Sequence, residues 1–222
     1  MNFERREFLK TGVSLVVSFS LNRVAEAQQS PAAGADPGQP PDPNEVDSFF
    51  VVARDGRVTI FCGKVDLGQG LRIAIPQMAA EELGCRVESI TLVEGDTALT
   101  PDQGPTAGST GVMRGGVQIR QAAATARQAL LGLGAERLAR PLAELELVEG
   151  EVRIKSGGAG IPVSELLGAR KFSLKVDAKA PLKDPRTYTI VGRSLPRPDV
   201  PAKVMGRHKF VHDIVVDGMV HG

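Results

Sequence analysis

The chain has 222 residues, which is enough for one large domain or two small ones. Lysine and arginine (27) nearly balance aspartate and glutamate (26), and aromatic residues are few, so neither charge nor stacking surface indicates a nucleic-acid partner. Two cysteines are too few for a disulfide scaffold, a four-cysteine zinc site or a cysteine-ligated iron–sulfur cluster.

Residues 1–27 have the layout of an export signal. Arg5 and Arg6 give a basic start, residues 12–21 form an apolar run too short to span a bilayer, and residues 25–27 offer a small-x-small cleavage site. The arginine pair before Glu-Phe-Leu-Lys is similar to a twin-arginine signal. We therefore expect recognition by the twin-arginine translocase and a periplasmic location. The alternative is a basic amphipathic N-terminal helix.

A proline-rich linker over residues 28–46 separates the signal from the first element, and we expect order to begin at Phe49. Residues 49–54 and 57–61 flank Asp55-Gly56. Because glycine accepts a positive φ, this pattern predicts a β-hairpin with a two-residue turn.

Apolar side chains at helical spacing predict a helix over residues 71–84. Proline lacks the amide N–H that a helix interior needs, so Pro76 is expected close to the start of this helix. Glu81 and Glu82 are expected on its polar face. Residues 89–93 then predict a strand.

The second half of the chain follows an irregular, glycine-rich stretch over residues 95–116. Four further elements are predicted: a helix ending near Leu138 with Val112 on its apolar face, a hairpin over 144–154 around Glu149-Gly150, a short helix over 163–167 and a strand over 209–216. Cys62 and Cys85 are expected as buried thiols, although export would permit a disulfide between them.

Two glycine-bearing loops, each before a predicted helix, are the candidate binding segments. The first holds Gly68, Gln69 and Gly70, and the second holds Gly108, Ser109 and Thr110. Glycine lets backbone approach a ligand, and a helix start offers N–H donors to an anion. Taken singly, the first fits a tight turn and the second an ordinary N-cap. Together they suggest one extended, phosphate-bearing cofactor held at two points. No acid, base or nucleophile constellation accompanies them, so no catalytic residue is assigned.

Three motifs carry a family resemblance. They are GKVDLGQG from Gly63, AAEELG from Ala79, and GPTAGSTG from Gly104 leading into RGGVQIRQAAA. Together they resemble the N-terminal part of the molybdopterin-binding subunit of the xanthine dehydrogenase/aldehyde oxidoreductase family. The most similar type is the exported isoquinoline 1-oxidoreductase beta chain, and the resemblance covers residues 47–222 plus the signal.

This resemblance implies an α+β fold. β-Hairpins and helices would form half of a molybdopterin-binding domain over residues 47–178, followed by a linker over 179–202 and the truncated start of an α/β hammerhead domain over 203–222. The implied cofactor is molybdopterin cytosine dinucleotide. Gly68, Gln69 and Gly70 would contact it near its pterin and diphosphate, and Gly108, Ser109 and Thr110 would form a second backbone cradle.

The implied activity is that of a molybdenum hydroxylase, which oxidises an aldehyde or N-heteroaromatic compound with oxygen from water. Its implied partners are an iron–sulfur subunit that carries the clusters, the remainder of the molybdopterin subunit and a small-molecule substrate. The family's base and most of its pocket would lie beyond Gly222, so this chain alone is expected to be inactive. The alternatives are a non-catalytic exported binding or assembly module and an inactive truncated fragment.

Overall fold

Two small sheets and two long helices make up the part of the chain that the computed structural model describes, residues 41–53, 56–167 and 174–220. In chain order the strands and helices are β1 (Phe50–Val52), β2 (Val58–Cys62), α1 (Leu71–Leu83), β3 (Ile90–Glu94), α2 (Val117–Leu138), β4 (Leu145–Val148), β5 (Glu151–Ile154), β6 (Ile161–Pro162), α3 (Val163–Leu167) and α4 (Val200–Val204). The predicted α+β class is confirmed. The predicted signal and the linker as far as residue 40 lie outside the described residues.

The first sheet has the order β1-β2-β3. β1 and β2 are antiparallel, with Phe50 opposite Ile60, and β3 is parallel to β2, with Ile60 opposite Leu92. Parallel neighbours need a crossover, which α1 provides. The loops before α1 and after β3 therefore emerge at the same edge of this sheet.

The first hairpin is confirmed, but its turn is longer than predicted. Ala53 donates its N–H to the carbonyl of Arg57, which leaves three residues between them instead of two. Gly56 has the expected positive φ, +82°. Asp55 lies outside the described residues.

The helix α1 begins and ends as predicted, but the expected place of Pro76 is wrong. Pro76 lies inside the helix rather than near its start. The helix continues through it because Leu71, Ile75 and Ala79 are buried against the first sheet and α2, and this burial outweighs the missing hydrogen bond. Gly84 ends the helix in the left-handed conformation, at φ +60°.

A wider, π-helical turn, Gly111–Gly116, precedes α2. Val112 lies in this turn and is exposed, so its predicted place on the buried face is wrong. A Cβ at Gly115 would lie 2.5 Å from Cγ of Lys64, and one at Gly116 would lie 2.9 Å from Sδ of Met78. Glycine at Gly115 therefore lets the turn approach the stem of Lys64, whereas a Cβ at Gly116 would only displace the end of the Met78 side chain.

The core has two parts, both of which contact α2. The first lies between α1, α2 and the first sheet, and fully buried alanines such as Ala122 and Ala123 allow the close packing of the two helices. The second lies between the distal half of α2, α3 and the second sheet, β4-β5-β6. The predicted hairpin of this sheet is confirmed, with Glu149 and Gly150 both at positive φ as its two-residue turn.

The segment over residues 174–220 contains only short helical turns among its described elements. The strand predicted over 209–216 is wrong, because a 3₁₀ turn, Val211–Asp213, replaces it. A strand is stabilised by pairing with a neighbour, and this segment pairs with neither sheet. Val211, Val215 and Val220 stay more than four-fifths exposed. Within the described ranges, no helix combines the length and apolarity needed to cross a bilayer.

Cys62 and Cys85 are buried and free, as expected. Burial raises the pKa of each thiol to about 11, so the thiolate is scarce in the folded protein at pH 8. We predict slow alkylation of both thiols by iodoacetamide at pH 8 and rapid alkylation after denaturation. Because folding disfavours the thiolate, stability should fall as the pH rises above the ordinary thiol pKa, near 8.5. Rapid labelling of the native protein would contradict this prediction.

Candidate functional site

Asp66 shapes the first loop, residues 63–70. Its Oδ1 accepts the N–H groups of Gly68 (2.7 Å) and Gly70 (3.2 Å), and its Oδ2 accepts the N–H of Arg72 (3.0 Å). Partial burial opposes ionisation, but these hydrogen bonds and the charge of Arg197 lower the pKa of Asp66. The ionised carboxylate thus holds both glycines and the start of α1 together. Asp66 is absent from the sequence-based predictions, although its position just before a glycine pair and a helix is a capping signal.

Gln69 folds back onto its own loop. Its Oε1 accepts the N–H of Leu67 at 2.6 Å, and its Nε2 donates to the carbonyl of Val65 at 3.0 Å. Among the described residues, nothing accepts the backbone N–H of Gln69 itself. The Gln69 side chain therefore stabilises the loop, while the backbone N–H of Gln69 has no acceptor among the described residues.

The second loop presents backbone rather than side chains. Gly108 and Ser109 are exposed and both adopt a left-handed conformation, at φ +57° and +60°. Their N–H groups have no acceptor within the described part of the chain. Thr110 does not cap the next helix, because its hydroxyl donates to the carbonyl of Ala107 at 2.7 Å. Ordinary N-capping is thus the wrong interpretation of this loop.

Lys64 joins the two loops. Its side chain is almost fully buried, and its Nζ donates to the carbonyls of Gly104 (3.1 Å) and Pro105 (2.7 Å) and to Oγ1 of Thr110 (3.3 Å). A buried ammonium needs such acceptors. No local sequence signal indicates this role of Lys64, because its acceptors lie at least 40 residues further along the chain.

Two more contacts connect the loops. Oγ1 of Thr106 accepts the N–H of Val65 at 3.0 Å, and Oε1 of Gln103 accepts the N–H of Gly63 at 2.9 Å. The structure therefore brings the two predicted segments together, with Gly68, Gln69 and Gly70 on one and Gly108, Ser109 and Thr110 on the other.

Glu82, expected on a polar surface, is fully buried, so that prediction is wrong. It forms ion pairs with Arg127 and with Nε of Arg120, the latter at 2.8 Å, and it accepts the N–H of Lys183 at 3.1 Å. A carboxylate can be buried when it is paired in this way. Arg120 and Arg127 are seven apart on α2 and so share a helix face, which is the one sequence signal for this cluster.

Glu81 is also buried, contrary to expectation. Its Oε2 accepts three consecutive backbone N–H groups, those of Thr189, Ile190 and Val191, at 2.7–3.1 Å. Together with Glu82, it fastens residues 183–191 to the helix pair. This segment, predicted as a linker, is therefore part of the folded body.

The loops fit a phosphate-bearing group. Among the described residues, N–H donors on both loops have no acceptor. Apart from the chain neighbours, no described atom lies within 4 Å of a Cβ built at Gly68 or Gly108, so the described structure leaves space beside them. The Asp66 carboxylate is occupied by N–H groups of its own loop and of the first turn of α1. A pair of glycine-bearing loops held at two helix starts is an arrangement suited to an anionic ligand.

A family model of molybdopterin cofactor-binding domains matches residues 4–203. The chain belongs to this family, and the resemblance found in the three motifs is confirmed.

The relatives include subunits of larger enzymes. A nicotinate dehydrogenase subunit of Pseudomonas putida is 38% identical over 213 residues, which cover 96% of this chain and 17% of that protein. The beta chain of isoquinoline 1-oxidoreductase from Brevundimonas diminuta is 28% identical, over 100% of this chain and 33% of that protein. The membrane-bound aldehyde dehydrogenase of Gluconacetobacter polyoxogenes is 26% identical, over 100% and 29%. The chain thus spans a third or less of these relatives.

Proposed function

We propose that this chain is the cofactor-holding segment of an exported molybdenum hydroxylase, with molybdopterin cytosine dinucleotide as its cofactor. The observation that carries the proposal is the contact between the two loops through Lys64. Through this contact, the first loop, which carries the free N–H of Gln69, is held against the second loop, which carries the free N–H groups of Gly108 and Ser109. Such donors suit the phosphates of a dinucleotide.

The residues divide the work between binding and support. The backbone N–H groups of Gln69, Gly108 and Ser109 would donate to the cofactor, and Gly68 and Gly70, whose N–H groups are bound by Asp66, would shape the loop beside it. The side chains of Thr110, Asp66 and Lys64 stabilise the two loops through hydrogen bonds. The cofactor, when bound, supplies the redox chemistry by which a substrate carbon is hydroxylated with oxygen from water.

The substrate class follows from the relatives. Two of them are named for nicotinate and isoquinoline, which are N-heteroaromatic compounds, and a third is named for aldehydes. We propose an N-heteroaromatic or aldehyde substrate for this enzyme as well. Because the chain spans a third or less of these relatives, the pocket and the catalytic base belong, on this proposal, to polypeptide outside the 222 residues.

The proposed partners follow from the same reasoning. Iron–sulfur clusters would belong to a partner subunit, since two buried cysteines cannot ligate one. The remainder of the molybdopterin subunit would cover the exposed apolar side chains of Val211, Val215 and Val220. The signal over residues 1–27 would direct the folded protein to the periplasm through the twin-arginine translocase.

Replacing Gln69 by alanine tests the proposal. The change removes the two hydrogen bonds that the Gln69 side chain makes within the first loop. We expect molybdenum content per polypeptide to fall roughly threefold to tenfold, as the loss of one or two such bonds implies. Molybdenum is measured by mass spectrometry on the native-length protein, purified from its natural host. Gln128→Ala, in the middle of α2, is the matched control.

Two outcomes would contradict the proposal. The first is a native protein that carries neither molybdenum nor a pterin, which would favour a non-catalytic binding module. The second is a Gln69→Ala variant whose molybdenum content and turnover equal those of Gln128→Ala.

A further inference from the structure

Arg197 reaches back from the proline-rich segment to the first loop. Its Nη1 donates to the carbonyl oxygen of Gly68 at 2.8 Å. Gly68 stands at the centre of the proposed cofactor loop, more than a hundred residues earlier in the chain. The predicted linker over residues 179–202 thus contains a side chain that acts on the site.

Asp199 orients this arginine. Its two carboxylate oxygens accept Nε (3.0 Å) and Nη2 (2.7 Å) of Arg197, and Lys203 adds a contact of 2.6 Å. The two cations hold the pKa of Asp199 well below its usual range, so its charge persists at neutral pH. The Asp199 side chain is nearly buried. Because the ion pair with Asp199 fixes the plane of the guanidinium through Nε and Nη2, it also fixes the direction in which Nη1 reaches the loop.

The carbonyl that Arg197 binds shares a peptide group with the free N–H of Gln69. A peptide group is planar, so fixing the direction of its carbonyl also fixes the direction of its N–H. A cation on the carbonyl further polarises the group and makes the N–H a better donor. Asp66 holds the N–H groups of Gly68 and Gly70 on either side. The Gly68–Gln69 peptide is therefore fixed at both ends, while its own donor stays open.

We propose that Arg197, oriented by Asp199, is a positioning residue for the cofactor. It holds the Gly68–Gln69 peptide so that the Gln69 N–H points toward a phosphate-bearing group. This inference rests on the proposed function. It identifies Arg197 as the residue that orients the backbone N–H of Gln69.

The test compares Arg197→Ala with Arg186→Ala in the native-length protein. Arg186 is a matched control because it pairs with Asp184 at the same spacing, on the same segment, and both are away from the loops. We expect hydrogen exchange of residues 66–72 and release of the molybdenum cofactor to be about tenfold faster in Arg197→Ala, and unchanged in Arg186→Ala. Added guanidinium ion at millimolar concentration should slow cofactor release from Arg197→Ala again, which a general loss of stability would not allow. Thermal unfolding monitors the fold of each variant.

The outcomes are distinct. Equal exchange and release in the two variants would overturn the inference, and so would faster exchange without faster release. If Arg197→Ala fails to fold, Asp199→Asn replaces it, because that change keeps the arginine but loosens its orientation, and the same readouts decide. Absence of molybdenum from the unmodified protein would refute the proposed function and the inference with it. Normal loading with an unchanged release rate would refute the inference alone.

Discussion

Replacing Glu82 by alanine is expected to lower the free energy of unfolding by about 3–5 kcal/mol, the usual cost of breaking a buried ion pair. Glu82 is fully buried, and its partner Arg127 is nearly so. Without the carboxylate, the Arg127 guanidinium stays in the interior without its counter-charge. Arg120 and the N–H of Lys183 also lose an acceptor. Urea denaturation followed by circular dichroism measures the change.

The matched control is Glu165→Ala. Glu165 forms an exposed ion pair with Arg137 at 3.7 Å, and we expect a change within about 0.5 kcal/mol, because water solvates both groups. Glu82→Gln keeps the shape of the side chain without its charge and should fall between the two. A Glu82→Ala variant within about 1 kcal/mol of the unmodified protein, on the scale of an ordinary surface change, would show that the cluster does not stabilise the fold.

The elements that sequence analysis predicted correctly depend on local signals. The second hairpin follows from Glu149-Gly150, because only a positive φ at both positions closes a two-residue turn of this kind. The end of α1 follows from Gly84 in the same way. Such turns and helix ends are determined by a residue and its immediate neighbours, so they can be predicted from the sequence.

The wrong predictions concern residues whose structure depends on contacts with distant parts of the chain. Glu82 looks like a surface residue because its partners Arg120 and Lys183 stand 38 and 101 residues away. Only the assembled fold brings them together. Pro76 is tolerated inside α1 because of tertiary burial, and residues 209–216 have the composition of a strand but no neighbour to pair with among the described strands. In each case, the tertiary contacts that form, or their lack, outweigh local preference.

The candidate site also has parts that the sequence predicts and parts that only the structure shows. Its two glycine loops are visible in the sequence, since glycine at a left-handed position marks a backbone that side chains would obstruct. The residues that support the loops are not visible, because Lys64 and Arg197 act across long stretches of chain. The cofactor proposed for the loops comes from the family resemblance, but only the structure identifies which side chains hold the loops in place.

Lys64→Met is expected to reduce molybdenum content about tenfold or more, because it removes the group that joins the loops while leaving the volume of the side chain nearly unchanged. The apolar stem of Lys64 packs on Gly115, and methionine preserves that contact. The ammonium alone is lost, and with it three hydrogen bonds to the second loop. Gly104 and Pro105 are exposed and can bind water instead, so the free energy of unfolding should fall by only about 1–3 kcal/mol.

Lys155→Met is the matched control for this prediction. Lys155 also donates to a backbone carbonyl, that of Ala143 at 2.7 Å, but it lies exposed beside the second sheet. This variant should keep both its molybdenum and its stability. Equal molybdenum content in Lys64→Met and Lys155→Met would mean that the second loop holds its shape without the lysine. A loss confined to Lys64→Met, larger than its loss of stability explains, would instead mean that the cofactor needs both loops held together before it binds.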